Sequence, residues 1–263
     1  MQVPRVFKFL EYRAGVRLGW RDPLLPPNWL PGAGDGDYTQ IGEHFFQHFV
    51  GIGGLKPHER VLDIGCGTGR MARPLTKYLR SGSYDGLDIV APSIEWCQKA
   101  YTSRYPNFHF HFTDIYNKLY NPTGRYRASD HHLPFENSSF DFVFLTSVFT
   151  HMLPRDIENY LSEVTRLLKP GGRCLITYFL LTSESLQFIE RKASTIDFRY
   201  ELEGCRVDNK DVPEAAVAYD ESSIREMYQK CKMDILQPIH YGSWSGRKNG
   251  LSYQDIVIAN KLF

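Results

Sequence analysis

Apolar residues along this chain recur with two different spacings, in segments that alternate along the sequence. Each spacing predicts a different kind of secondary structure. Consecutive or alternating apolar positions predict strands at 60–64, 83–88, 107–112 and 140–145. Apolar residues three or four positions apart predict helices over 38–49, 71–79, 93–104 and 154–168. Strands and helices that alternate in this way indicate an α/β domain with a parallel sheet.

The second half of the chain continues the pattern less regularly. A turn at 169–172, Lys-Pro-Gly-Gly, precedes a strand predicted at 173–178, and a helix is predicted at 221–231. Further strand-like segments follow at 233–240 and 253–259. Two segments without clear periodicity, 116–133 and 181–220, interrupt the series. We interpret them as insertions.

The first thirty residues form a separate segment in which apolar and basic positions alternate, with Glu11 as the only acid before Asp22. Such a basic amphipathic arm either lies on an anionic membrane or over a substrate cleft, or packs as a helix on its own domain. A Pro/Gly-rich linker at 23–34 follows. We therefore predict an arm and linker over 1–37 and one domain over 38–263.

Composition narrows the class of protein further. The 263 residues are 42% hydrophobic, which is enough for one buried core, and the net charge of +1 gives no general attraction for nucleic acid. The five cysteines are scattered, without metal-ligand spacing, as in a reduced cytosolic protein. No apolar run reaches the roughly 18 residues that span a bilayer, and no signal peptide is evident. We expect a cytoplasmic protein.

The strongest motif is VLDIGCGTGR at 61–70, where a strand ends in three glycines at alternate positions. Gly65, Gly67 and Gly69 permit unusual backbone angles and let main-chain N–H groups approach a ligand. A dinucleotide-binding turn would instead require glycine at the position of Arg70. The spacing therefore argues against a nicotinamide-dependent oxidoreductase.

This motif resembles motif I of the class I S-adenosylmethionine-dependent methyltransferases, and 38–180 follow that family's order of landmarks, including Leu-Lys-Pro-Gly-Gly at 168–172. The resemblance implies an α/β fold whose twisted, mostly parallel seven-stranded sheet is flanked by helices and has an antiparallel last strand. In this chain the fold would carry an N-terminal helical arm and insertions after the third and fifth strands. The implied cofactor is S-adenosyl-L-methionine, with S-adenosyl-L-homocysteine as product.

Cofactor contacts are expected where the first strands end. Asp88 lies about 20 residues beyond the glycine turn, the distance at which nucleotide sites place a carboxylate on ribose hydroxyls. Asp63 is expected to orient the glycine loop from below, and the resemblance makes Tyr38 a candidate contact at the methionine end. The predicted cofactor-binding set is Tyr38, Asp63, Gly65, Cys66, Gly67, Gly69, Asp88, Ile89, Asp114, Ile115 and Thr146.

Two segments compete for the adenine position that the resemblance implies. Asp114 ends the third strand, beside the apolar Ile115 that would lie against the ring. The insertion, however, separates Asp114 from Leu-Pro-Phe at 133–135, and in the family the acid often lies only a few residues before that motif. Residues 128–130, Ala-Ser-Asp, are therefore the alternative, although Asp114 ends a clear strand.

Acceptor chemistry is expected beyond the fourth strand, because the carboxyl ends of strands in open α/β sheets face the ligand crevice. His151 follows that strand and is a candidate general base. A histidine that only packs is the alternative. Aromatic, hydroxyl and guanidinium groups suited to a sugar, carboxylate or phosphate provide the predicted substrate-binding residues. These are Tyr178, Tyr241, Trp244 and Arg247.

The sequence thus predicts a methyltransferase that needs no metal and acts on an oxygen or nitrogen of a small polar acceptor, with a sugar or glycolipid hydroxyl as the working hypothesis. Another natural product or RNA is an alternative acceptor, although the charge balance disfavours nucleic acid. A partner protein that binds the cofactor without catalysis is the non-enzymatic alternative. The basic arm adds peripheral membrane contact as a hypothesis.

Overall fold

A seven-stranded sheet forms the centre of this computed structural model, which describes residues 5–30 and 36–262. Residues 31–35 of the predicted linker lie outside the described part. The elements up to the fifth strand are α1 Arg5–Arg17, α2 Tyr38–Gly51, β1 Arg60–Ile64, α3 Ala72–Tyr78, β2 Ser83–Asp88, α4 Ala91–Cys97, β3 Phe108–Phe112, β4 Phe140–Leu145, α5 Pro154–Leu167 and β5 Leu168–Tyr178. Those that follow are β6 Leu180–Leu181, α6 Ser183–Glu190, β7 Tyr200–Leu202, β8 Cys205–Val207, β9 Val217–Asp220, α7 Glu221–Lys230, β10 Met233–Ile235 and β11 Asp255–Lys261.

Strand order in the main sheet is β10-β11-β5-β4-β1-β2-β3. The neighbouring strands from β5 to β3 run parallel, whereas β11 pairs antiparallel with both β5 and β10. The predicted sheet, with its antiparallel last strand, is confirmed. The order reverses between β1 and β4, and ligands bind at such a reversal, outside the carboxyl ends of the strands.

The core lies on both faces of this sheet, and β4 shows why. Its Phe142 and Phe144 pack into the cluster under α2 and α3, while Val143 and Leu145 pack into the cluster under α5. All four side chains are fully buried. Because parallel strands are covered on both faces, they need consecutive apolar residues rather than alternation. Each such side chain contributes about 1.5–3 kcal/mol of burial free energy.

Several element bounds differ from the predicted ones by one or two residues, and three segments differ in kind or extent. The helix expected at 93–104 begins at Ala91 and passes into a π-helical segment, Gln98–Thr102. Residues 169–172, which the sequence predicts as a turn, are part of β5 in the structure. The pairing of β5 with β4 shifts register between Phe140 and Phe142. The strand expected at 233–240 ends at Ile235, and Pro238, which lacks an N–H, cannot continue the ladder.

The two insertions fold against the carboxyl ends of the sheet. In the first, an isolated bridge pairs Ile115 with Tyr126, next to the ion pair of Arg125 with Asp114. The second forms a small sheet of order β6-β9-β8-β7, with α6 between β6 and β7 along the chain. Across residues 5–30 and 36–262, no helix is both long and apolar enough to cross a membrane.

Candidate active site

The loop between β1 and α3 has the backbone that its glycines predict. Gly65, Gly67 and Gly69 have φ values of 83°, 52° and 79°, which side chains rarely adopt. A Cβ on Gly65 would lie 2.3 Å from Cγ2 of Val148, in the turn after β4. The bare backbone at this position therefore lets the loop and the β4 turn approach each other closely.

Asp88 ties the glycine loop to the end of β2. Its Oδ2 accepts a hydrogen bond from the N–H of Gly67 at 2.7 Å, and its Oδ1 accepts one from the N–H of Val90 at 2.8 Å. The backbone N–H of Ile89 is a further donor, and these bonds do not fill the roughly four lone-pair sites of a carboxylate. Burial raises the pKa of this carboxyl, and Asp88 also lines the cavity above the sheet.

Asp63 lies beneath the loop, fully buried, and not at the cavity wall. Its Oδ2 accepts from the hydroxyl of Tyr84 at 2.6 Å, whereas Oδ1 has no partner. Burial, aided by the nearby Asp88 charge, raises the pKa of Asp63 to about 8. Asp63 is therefore mostly a neutral acid at pH 7 that supports the loop from below, the position predicted for it.

Tyr38, at the start of α2, holds the loop from outside. Its hydroxyl donates to the carbonyl of Thr68 at 2.7 Å, and the Arg70 guanidinium lies 5.4 Å from the ring centroid. The side-chain hydroxyl of Thr68 is buried without a partner and belongs to a cavity-lining residue. An unpaired donor beside bare glycine backbone fits a polar nucleoside cofactor.

One cavity of about 1850 Å³ covers the carboxyl ends of the strands. Roughly 300–1,000 Å³ is common for a site that holds one small ligand, so there is room for a second. The predicted residues that line it are Gly65, Cys66, Gly67, Asp88, Ile89, Ile115, Thr146 and His151. The predicted residues outside its wall are Tyr38, Asp63, Gly69, Asp114, Tyr178, Tyr241, Trp244 and Arg247.

The two candidates for the adenine position lie in different surroundings. Asp114 is paired with Arg125 Nε at 2.6 Å and accepts from Asn121 Nδ2 at 3.3 Å, and this pairing lowers the pKa of the carboxyl. From the alternative segment, Ala128 and Ser129 line the cavity together with Ile115. Asp114 thus anchors the insertion, and in the alternative segment Ala128 and Ser129, but not Asp130, form part of the cavity wall.

His151 lies in a short 3₁₀ helix, Phe149–His151, directly after the β4 turn. Its Nδ1 is 2.9 Å from the carbonyl oxygen of Glu214 in the second insertion. A carbonyl only accepts, so Nδ1 carries the proton and Nε2 keeps its lone pair. Burial lowers the pKa of His151, which keeps the ring neutral at pH 7. The geometry provides a base at the cavity wall.

The residues predicted to bind substrate have partners within the protein. The Tyr178 hydroxyl is 3.0 Å from that of Tyr228 in the core, and Tyr241 donates to Glu221 at 2.6 Å. Arg247 is bound to Glu184 at 2.8 Å. Trp244 is fully buried, and its Nε1 donates to Asp255 Oδ2 at 2.7 Å.

Asp255 explains why the loop with Trp244 turns inward. This fully buried carboxylate, at the first position of β11, also accepts from the N–H groups of Gly242 and Leu180 at 2.7 and 2.6 Å. Satisfying so costly a buried charge requires the loop to fold over it. Trp244 is consequently a core residue here, away from the cavity.

The structure also has a polar network at the cavity wall whose residues were not among the site residues predicted from the sequence. Ser147, in the β4 turn, has a left-handed φ of 58°, and its N–H donates to Thr177 Oγ1 at 2.7 Å. Thr177 donates to Gln254 Oε1 at 2.7 Å, and Gln254 Nε2 donates to Ser147 Oγ at 2.9 Å. Ser147 and Gln254 both line the cavity. Strained non-glycine backbone of this kind clusters at functional sites.

No metal centre is evident around these groups: within the described ranges, no three or more His, Cys, Asp or Glu residues are arranged to hold a metal ion. His111, which the sequence places on a strand face, is 2.9 Å from Asp85 Oδ1. The cavity-lining groups with candidate chemistry are those of the glycine loop, Asp88 and His151.

The order of strands in the sheet and the glycine loop after β1 are together typical of an α/β enzyme that binds a nucleoside cofactor. A family model described as a methyltransferase domain matches residues 62–176. The structure of a methyltransferase dependent on S-adenosylmethionine (SAM), from Methanosarcina mazei, aligns with a TM-score of 0.55 and 25% identity, covering 80% of this chain and 95% of that one. The matched domain and this alignment support a class I S-adenosylmethionine-dependent methyltransferase. The predicted family, enzyme class and cofactor are confirmed.

Curated relatives match over shorter spans. A phthiotriol/phenolphthiotriol dimycocerosates methyltransferase of Mycobacterium tuberculosis is 34% identical over 160 residues, which is 60% of this chain and 51% of that protein. A fatty-acid O-methyltransferase of Mycolicibacterium smegmatis is 32% identical over 124 residues, 47% of this chain and 36% of the relative. The chain thus spans about a third to a half of the length of these relatives.

Proposed function

We propose that this methyltransferase acts on a hydroxyl oxygen of a small acceptor with an apolar body, and that His151 is the base. When bound, S-adenosylmethionine supplies the methyl group, and Gly65, Gly67 and Asp88 are the residues that would hold it. The observation that carries the proposal is the bond from His151 Nδ1 to the Glu214 carbonyl, which leaves Nε2 as an acceptor at the cavity wall.

Proton removal is the chemical contribution that His151 can make. A neutral imidazole accepts the proton of a hydroxyl as the oxygen becomes a nucleophile, and positioned bases of this kind contribute about 10²–10⁴-fold in rate. The Glu214 carbonyl stabilises the imidazolium that results, because Nδ1 keeps its hydrogen bond throughout. Alignment of donor and acceptor in one cavity supplies the remaining rate enhancement.

Ser147 is the group that we propose to hold the acceptor oxygen. Its Oγ accepts from Gln254 Nε2, so its own hydrogen is left for Thr150 Oγ1, a long 3.5 Å away, or for a ligand. The order of donors from Thr177 through Gln254 fixes this direction. The hydroxyl that loses its proton to His151 would accept this hydrogen from Ser147.

Exposed apolar and aromatic residues at the cavity support an acceptor with an apolar body. Tyr120, Leu251 and Tyr253 are exposed and line the cavity. The name of the fatty-acid O-methyltransferase, one of the relatives, points in the same direction. Trp244 and Arg247 are bound to Asp255 and Glu184, so neither is left to stack on or clamp a glycan, and we favour a hydroxylated lipid over a sugar.

Acceptor panels test this proposal directly. Purified protein is incubated with methyl-labelled S-adenosylmethionine and four separate pools: hydroxylated lipids, glycosides, amines and RNA. We expect S-adenosylhomocysteine and a methylated product, identified by mass spectrometry, from the lipid pool. A product from only the amine or RNA pool would contradict the proposed acceptor.

Substitution of His151 distinguishes a catalytic role of this residue from a role in packing alone. His151→Ala should lower turnover at least 10²-fold while leaving calorimetric affinity for S-adenosylhomocysteine within about threefold, because the base acts only on the acceptor. His109→Ala, at an exposed histidine on β3, is the matched control and should retain turnover. Turnover of His151→Ala equal to that of the control would remove His151 from catalysis.

A further inference from the structure

The N-terminal helix α1 is fixed to the domain through one of its faces. The ring of Tyr12 packs edge-on against Trp29, with centroids 5.9 Å apart. Its hydroxyl donates to the carbonyl of Leu25 and accepts from Trp96 Nε1, both at 3.3 Å. The salt bridge of Asp22 with Arg73, at 2.7 Å, secures the segment that follows. The docked arm that the sequence offered as one alternative is therefore present.

The opposite face of α1 is apolar and uncovered among the described residues. Leu10, Ala14 and Leu18 are four positions apart, so they form one row along the helix, and all three are exposed. Leu10 and Leu18 are 55% and 57% exposed. Trp20, just beyond the helix, is 83% exposed, the most open of the large apolar side chains that the structure describes.

Charges beside this row are mainly positive. Arg13 and Arg17 are exposed on the flank of the row, and Glu11 is the acid on the other flank. Arg21 lies further back, where it donates to the Pro26 carbonyl at 3.0 Å and covers the Tyr12 ring. Leucines and a tryptophan next to exposed arginines are the composition of a helix that lies in the interface of an anionic membrane.

We propose that the outer row of α1 and Trp20 form a docking surface for an anionic lipid bilayer. The helix lies in the interface plane, its leucines enter the acyl boundary, Trp20 sits at headgroup depth and Arg17 meets lipid phosphates. A single row of apolar side chains gives reversible attachment, because strong anchoring needs more apolar area. The inner face remains bound to the domain through Tyr12, so attachment requires no unfolding of the arm.

Vesicle binding tests the surface without any methyl acceptor. The full chain is mixed with phosphatidylcholine vesicles with and without phosphatidylglycerol, and bound protein is measured by co-sedimentation while tryptophan emission is recorded. We expect binding to the anionic vesicles with a blue shift that Trp20→Phe removes. Leu10→Ser combined with Leu18→Ser should weaken binding at least tenfold. Arg17→Gln should weaken it about fivefold, equivalent to about 1 kcal/mol.

A matched leucine variant and a folding check accompany these measurements. Leu262→Ser changes a similarly exposed leucine, 51%, at the far end of the chain and should bind vesicles as wild type does. S-adenosylhomocysteine affinity verifies that each variant is folded. Absence of vesicle binding, or binding that ignores both leucine substitutions, overturns the proposal. So does a wild-type dimer on size exclusion that the leucine substitutions dissociate, since a second copy would then be the occupant.

Discussion

The two halves of the cavity are built from different kinds of sequence. The cofactor half comes from one short stretch, in which Gly65, Gly67 and Asp88 are 23 residues apart at most and the Gly67 N–H donates to the Asp88 carboxylate. The acceptor half joins Ser147, Thr177 and Gln254, which are 30 to 107 residues apart along the chain and are linked by hydrogen bonds. A short sequence motif therefore identifies the cofactor half, whereas the residues of the acceptor half come together only in the folded chain.

This difference predicts a division of effects. Substitutions in the cofactor half should change the dissociation constant of S-adenosylhomocysteine, because the affected groups are the N–H donors and the carboxylate that we propose hold the nucleoside. Substitutions in the acceptor half should leave that constant unchanged and alter turnover or acceptor KM. A cofactor-half variant that leaves this dissociation constant unchanged, or an acceptor-half variant that alters it, would contradict the division.

Gly65→Ala should have the largest effect. Its φ of 83° and the 2.3 Å approach of a new Cβ to Val148 strain the loop. We expect at least 10²-fold weaker S-adenosylhomocysteine binding by calorimetry and a lower melting temperature. Gly65→Ala with Val148→Ala removes the clash but keeps the backbone strain, so it should recover part of the affinity. Wild-type affinity in the single variant would contradict the cradle.

Asp88→Ala should weaken cofactor binding by tens of fold, about 2 kcal/mol, because ribose loses charge-assisted bonds and the loop loses its tie to β2. Asp114→Ala is the comparison variant, since its carboxylate is paired with Arg125 and Asp114 is not a lining residue of the cavity. We expect it to change affinity less than threefold. Equal losses in the two variants would return Asp114 to the adenine position.

Ser147→Gly tests the acceptor half. Glycine accepts the φ of 58° without strain, so the substitution removes the CH2OH side chain without adding backbone strain. Loss of one hydrogen bond of about 0.5–1.5 kcal/mol should raise acceptor KM two- to tenfold. S-adenosylhomocysteine affinity should not change. If that affinity falls instead, the network belongs to the cofactor half.

Asp63→Asn should change cofactor affinity least among these variants, and its effect on stability should appear only at higher pH. A folded pKa of about 8 lies above the ordinary 3.8, so the carboxyl's contribution to stability is present below 3.8 and is lost as pH rises to about 8. The amide cannot ionise. The melting temperature of the variant, relative to wild type, should therefore rise as pH increases across this window. A constant difference across that window would contradict the raised pKa.

The fold was predictable because its signals are periodic and local. Buried parallel strands such as β4 require consecutive apolar residues. The loop after β1 requires positive φ values, which glycine adopts far more readily than other residues. His151 was predictable as well, since it follows a strand whose carboxyl end faces the crevice. Its tautomer was not, because the Glu214 carbonyl is 63 residues away.

The acceptor side was less predictable for a physical reason. Trp244 and Arg247 have the chemistry of a recognition loop, but the side-chain types do not reveal that Asp255 is buried nearby and draws the loop inward. Ser147, in contrast, has an ordinary side chain, and its importance comes from its backbone angle and from Gln254, 107 residues later. Long-range pairing of this kind leaves no period in the sequence.

Both insertions hold His151. Asn117 and Tyr120 of the first contact its carbonyl and its ring, at 3.2 Å and 5.5 Å between centroids, while the second supplies the Glu214 carbonyl. Exchange of either insertion during evolution therefore alters the alignment of the base along with the shape of the entrance. New acceptors would be gained by concerted change in both segments, while the sheet beneath is inherited intact.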